Sequence, residues 1–129
     1  MKSNKIYWAI AAILGLVLAM QQLQAADGVD VKQAQSMNKQ GALLLDVREP
    51  DEYSALHAPD AKLIPLGQLN SRMQEIAAYK DKPIVVMCRS GRRSAQAVSL
   101  LKDAGYSQVS NVKGGILSWE SEGLEVIRM

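Results

Sequence analysis

Phenylalanine is absent from this 129-residue chain, and aromatic residues make up only 5% of it. Any core must therefore rest on Leu, Ile, Val, Ala and Met. At 48% hydrophobic there are enough of these, and the length suits a single domain. Cysteine occurs once, at position 88, which excludes an internal disulfide and a cysteine-based metal site. Histidine also occurs once, at position 57, so a protein-held zinc centre lacks donors. A surplus of charge is missing too. Fifteen basic residues less Lys2 and Lys5 leave 13, against 13 acidic ones. With no polybasic run and no acidic tail, no nucleic-acid partner is expected. Internal repeats and low-complexity linkers are absent as well.

One long hydrophobic run is present. Lys2 and Lys5 precede Ile6 to Met20, fifteen residues without a charge, and the uncharged stretch continues through Ala26. A basic start, an apolar middle and a small-residue end match a secretory signal. Cleavage after Ala25 would put Leu23 at the third position back, where a small residue is preferred. As a helix the uncharged stretch reaches about 30 Å, enough to cross a bilayer core, with Tyr7 and Trp8 suited to an interface. Residues 1–26 are therefore expected to be a signal peptide or a membrane anchor, with both readings open. Either one keeps Lys2 and Lys5 in the cytoplasm and exports residues 27–129 to the periplasm, free or tethered to the inner membrane.

Beyond residue 27, strand and helix signals alternate. Ala42 to Val47 and Pro83 to Met87 are continuous apolar runs, as in strands buried on both faces. Ala61 to Pro65 and Gln108 to Asn111 are shorter strand candidates. Helical patterns cover Val31 to Lys39, Leu69 to Tyr79, Arg93 to Ala104 and Ile116 to Ser121. A turn led by Pro50 opens a further short helix. Such alternation predicts an α/β fold of three layers, a mostly parallel central sheet flanked by helices. Ligands in that architecture bind beyond the carboxyl ends of the strands, where Asp46 and Cys88 fall.

Cys88 opens the loop Cys88-Arg89-Ser90-Gly91-Arg92-Arg93-Ser94 between a strand and a helix. A thiol at a helix start, among three guanidiniums, sits where positive potential favours the thiolate. The loop's backbone N–H groups can cradle an anion, with Gly91 letting the chain curl inward. Cys88 is thus the candidate nucleophile, ionised and open to small anions. Arg89, Ser90, Gly91, Arg92 and Arg93 are candidate substrate binders, with Arg93 best placed to close the loop. Ser94 is expected to cap the helix or to donate to a group bound in the loop. Asp46 is read as a structural acceptor near the site, Arg48 and Glu52 as a supporting ion pair, and His57 as a packing residue. Trp119 reads as core, and Gly114-Gly115 as core and turn.

Three segments together resemble the rhodanese-like sulfurtransferase family. They are Leu44-Leu45-Asp46-Val47-Arg48-Glu49-Pro50-Asp51-Glu52-Tyr53, continuing to His57-Ala58-Pro59-Asp60-Ala61 and Ile64-Pro65-Leu66; the Cys88 loop; and Gly114-Gly115-Ile116 with Trp119. The resemblance spans about residues 29 to 127 and is that of a small, exported, single-domain form. It departs at Asp60, where the family usually has Gly, and at Glu125, where Pro is usual. Membership implies that Cys88 takes sulfur from a thiosulfate-type anion as a persulfide and yields it to cyanide or a thiol. It implies no metal or organic cofactor, and a monomer is expected. Two alternatives remain. One is a non-catalytic sulfur-carrying or binding module at the membrane. The other is a cysteine phosphatase or arsenate-type reductase, disfavoured because phosphatases place five residues between Cys and Arg whereas Arg93 follows Cys88 after four.

Overall fold

The computed structural model describes residues 28–129. The predicted signal or anchor lies outside the described residues, among which no helix is long and apolar enough to cross a membrane.

Helix α1, Val31–Lys39, starts where Asp30 accepts the N–H of Gln33 at 2.8 Å, and buries Val31 and Ala34. Strand β1, Leu43–Asp46, is buried throughout. It is followed by α2, Pro50–Ala55, with Pro50 in the first turn as expected, and by the two-residue strands β2, Leu56–His57, and β3, Lys62–Leu63. The expected helix over residues 69–79 is broken. It forms α3, Leu69–Arg72, and then a 3-10 stretch, Met73–Tyr79. Ile76 takes non-helical angles there (φ −117°, ψ 16°) and is 1% exposed, so the backbone yields to let that side chain enter the core. Strand β4, Ile84–Met87, α4, Arg92–Asp103, β5, Val109–Asn111, α5, Gly115–Ser121, and β6, Ile127–Arg128, complete the order.

The main sheet has the order β3-β1-β4-β5 and is parallel throughout. Its strands therefore end along one edge, with Asp46 opposite Met87 and Asn111 opposite Val86. Alternate side chains feed two cores. Leu43, Leu45, Ile84, Val86 and Cys88 face Leu69, Ile76, Ala97 and Leu101 on one side. Leu44, Val85 and Met87 face Ala34, Ile116 and Trp119 on the other. Each fully buried Leu, Ile or Val contributes about 1.5–3 kcal/mol by leaving water. Two such cores hold the sheet edge rigid and position what projects from it. A separate antiparallel ribbon, β2 with β6, was not expected from the sequence. Asp60 holds φ 63°, the one described non-glycine residue in the left-handed region, so the turn usual for Gly is kept by a residue that tolerates it.

Candidate active site

The chain leaves β4 at Met87 and turns at Cys88 into a short loop. Gly91, at φ 116°, reverses it to cap the start of α4. That angle, costly for any residue with a Cβ, aims the Gly91 N–H back at Cys88 Sγ, 3.0 Å away. Ser94 lies in the first turn of α4, with its Oγ 3.3 Å from the same sulfur. It is buried and does not serve as the helix cap, a place held by Gly91.

Helix α5 supports the loop from below. The N–H of Ile116 donates to the Cys88 carbonyl at 2.8 Å, and that of Leu117 to the Arg89 carbonyl at 3.2 Å. A Cβ on Gly115 would stand 2.3 Å from the Cys88 oxygen. Gly115 thus marks a close approach to the loop, while Gly114, at φ 74°, makes the turn that starts α5.

The charges are arranged differently from the sequence expectation. Arg48 does not pair with the Glu52 carboxylate. Its Nη2 meets Asp46 Oδ2 at 2.8 Å, its Nε meets both Asp46 oxygens, and the two groups are almost wholly buried. Arg48 then donates to the carbonyls of Glu52 and Leu56, at 3.3 and 2.7 Å, which ties α2 to the end of β1. The Glu52 side chain is left free to reach Arg93, in a two-pronged pair of 2.6 and 2.8 Å. Two parallel charge-assisted bonds suit the guanidinium fork. Hydrogen bonding to Arg93 holds the Glu52 carboxyl down at about 2, and Glu52 in turn raises Arg93. Arg89 and Arg92 are exposed and join no ion pair among the described residues. Ser90 is exposed on the loop rim. His57 stacks on Tyr53 at 3.9 Å with its Nδ1 2.8 Å from the Tyr53 carbonyl, a packing role.

Burial pushes the Cys88 thiol up. Hydrogen bonds from the Ser94 hydroxyl and from the N–H groups of Ser94, Gly91 and Ser90 outweigh it and leave the thiol below its ordinary value of 9.0. The expected ionisation tendency is present, but the expected openness is not, because Cys88 is only 1% exposed. The loop N–H groups fold onto the sulfur itself, so the cradle is closed around the thiol in this state.

Asn111 escaped the sequence reading. Its Nδ2 donates to the Gly91 carbonyl at 3.2 Å, and its Oδ1 lies 2.5 Å from Ser94 Oγ. A polar residue at the carboxyl end of a parallel strand was the available signal, the same one that picked out Asp46.

The rhodanese-like domain profile matches residues 30–122. The chain is 42% identical over 85 residues to a sulfurtransferase of Allochromatium vinosum, covering 66% of this chain and 78% of that one. It is 37% identical over 90 residues to the thiosulfate sulfurtransferase GlpE of Pseudomonas syringae, covering 70% and 83%. Against YqhL of Bacillus subtilis the matching stretch is 60% of either chain. A rhodanese-related protein of Thermoplasma volcanium has the same fold, with a TM-score of 0.70 at 32% identity over 78% of this chain and 96% of that one. With the matched segments, the nucleophile loop and the parallel sheet in agreement, this chain belongs to the rhodanese-like sulfurtransferase family.

Proposed function

We propose that Cys88 carries sulfane sulfur from a thiosulfate-type donor to a thiol or cyanide. The Cys88 thiolate attacks the donor's outer sulfur, the donor S–S bond breaks, and sulfite leaves with the electron pair. The resulting Cys88 persulfide is then attacked at its outer sulfur, which regenerates the thiolate. The observation that carries this reading is the sulfur at the end of β4, held by the Gly91 N–H and the Ser94 hydroxyl at 3.0 and 3.3 Å. The same donors suit a terminal persulfide anion. Arg89 and Arg92 on the rim attract the donor, and Arg93 joins them when it leaves Glu52. Since Cys88 is 1% exposed, attack requires the loop rim to move outward.

Incubation with thiosulfate followed by mass measurement tests the proposal. One added sulfur atom on Cys88 and thiocyanate formed from cyanide are expected, and both are to be lost in Cys88→Ser. Neither product from the intact chain overturns it.

The closed cradle favours a second reading, a sulfur carrier loaded by a partner protein. That reading expects a persulfide received from a protein donor with negligible turnover of thiosulfate. Export through residues 1–26 belongs to the same proposal. N-terminal sequencing of the mature protein is expected to start near Asp27 if the segment is cleaved, and at Met1 in a membrane fraction if it is kept. A Met1 start in the soluble cytoplasmic fraction would refute export.

A further inference from the structure

The side chain of Asn111 has two polar neighbours, and only one arrangement of its amide satisfies both. The Gly91 carbonyl can only accept, so the nitrogen end of the amide must face it, at 3.2 Å. The oxygen end then faces Ser94 Oγ at 2.5 Å and has no hydrogen to give, so Ser94 donates to it. The backbone holds Asn111 in place. Its carbonyl accepts the N–H of Val29 at 2.8 Å, and its register with Val86 fixes the strand.

Ser94 carries a single hydroxyl proton, and it has two acceptors. Asn111 Oδ1 is one, and Cys88 Sγ, 3.3 Å away, is the other. While Cys88 is a thiol the three groups agree. The S–H points at Ser94 Oγ, and the Ser94 proton points at Asn111. When Cys88 loses its proton to solvent, its sulfur can only accept. Ser94 must then turn its proton away from Asn111, which leaves Oδ1 without a donor in a half-buried site. Leaving such a group unpaired costs free energy, and that cost sits on the ionised side of the equilibrium.

We propose that Asn111 is a positioning residue for the Cys88 nucleophile, competing with the sulfur for the one proton of Ser94 and so setting the balance between thiol and thiolate. The other charges near the sulfur do not take part in this exchange. Arg93 on α4 is held by Glu52 of α2, with Glu49 also acting on it, Arg89 and Arg92 are exposed on the loop rim, and Asp46 and Arg48 at the end of β1 pair with each other. Neither β5 nor the first turn of α5 adds a charge.

The test follows thiolate absorbance of the full chain against pH, with Cys88→Ser as the blank. Asn111→Ala removes the acceptor that ionisation leaves unpaired, so the ionisation constant of Cys88 should rise about tenfold, the size expected for one unpaired polar group. In a Ser94→Ala background the same replacement should leave the midpoint where Ser94→Ala put it. No shift in the first case, or an equal shift in both backgrounds, overturns the proposal, the latter because Asn111 would then act through the loop backbone alone. If Asn111→Ala does not fold, the intact chain carries the test. Labelled side-chain amide signals of Asn111 should move with the Cys88 titration and lose most of that movement in Ser94→Ala. Signals that stay fixed, or that move equally in both, overturn it. The inference rests on Cys88 as nucleophile, but it reads ionisation rather than sulfur transfer. Coupled midpoints without a persulfide would sink the function and keep the inference, and uncoupled midpoints with a persulfide would do the reverse.

Discussion

Replacing Gly115 by Ala probes how tightly α5 holds the nucleophile loop. The added Cβ would stand 2.3 Å from the Cys88 carbonyl oxygen and 2.5 Å from that of Arg89, at φ +55°. Both carbonyls already accept amides from the first turn of α5, so neither swings aside without losing a hydrogen bond. Close-packed interiors have no slack to absorb the clash, and the loop must rise by about 1 Å to reach ordinary contact. The left-handed backbone costs Ala about 1–2 kcal/mol, and two weakened hydrogen bonds add about 1 kcal/mol each. A total of about 3–4 kcal/mol lowers Tm by roughly 12–30 °C in a domain of this size. The reacting sulfur moves with the loop, and a misplacement of about 1 Å can cost on the order of 100-fold in kcat/KM.

Gly123→Ala is the control, since that residue has φ +75° and nothing within 4 Å of an added Cβ. It carries the strain of the backbone without the collision. Both variants are assayed for thiocyanate formation below their melting temperatures, with melting followed by circular dichroism. If Gly115→Ala matches Gly123→Ala in both Tm and kcat/KM, the loop is not braced by α5 and the reasoning fails.

Asp46→Ala strands the buried Arg48 guanidinium, and about 3–5 kcal/mol of stability should be lost in urea denaturation. A loss under about 1 kcal/mol would show that the pair is not buried in solution. Glu52→Gln keeps the shape of the Arg93 contact but removes its charge. The pair is about one-third exposed and worth roughly 0.5–1 kcal/mol, so Arg93 should turn to the donor and KM for thiosulfate should fall about two- to fivefold. An unchanged or raised KM would mean that Arg93 serves the donor from within the pair. Hydrogen bonding holds the Cys88 thiol below its ordinary value, so kcat/KM for sulfur uptake should climb with pH as the thiolate forms and level off at lower pH than in Ser94→Ala, which lacks one of those hydrogen bonds. The same midpoint in both contradicts the hydrogen bonding at the sulfur.

The central strands were legible because burial on both faces leaves a mark that needs no partner to read. Leu43–Asp46 and Ile84–Met87 are apolar runs of that kind, and Val31–Lys39 and Arg92–Asp103 show the helical period beside them. The ribbon of Leu56–His57 with Ile127–Arg128 left no mark, since two residues carry no period and their pairing spans most of the domain. Leu69 to Tyr79 kept the helical spacing of apolar residues, yet the α-helix stops at Arg72 and the 3-10 stretch after it kinks at the buried Ile76, where packing outweighed local preference. The Cys88 loop, the candidate site, was readable from seven consecutive residues. Its partners were not, because Glu52 meets Arg93 across 41 positions and Asn111 meets Ser94 across 17, distances that only the fold closes.

That same limit changes how the loop's charge works. Counting residues gives three guanidiniums around one sulfur, but Arg93 is neutralised by Glu52, and Arg89 and Arg92 lie exposed on the rim. The groups that touch the sulfur are uncharged, the Gly91 N–H and the Ser94 hydroxyl. Ionisation therefore depends on short-range dipoles inside a closed cradle, whereas the proposed donor capture would depend on exposed charge. Salt separates the two. Exposed charges are screened over about 10 Å at 0.1 M salt, and buried contacts are screened far less. Raising ionic strength should weaken thiosulfate capture, seen as a rising KM, while the Cys88 ionisation midpoint stays in place. If the midpoint moves in step with KM, the guanidiniums rather than the dipoles hold the thiolate, and the division drawn here is wrong.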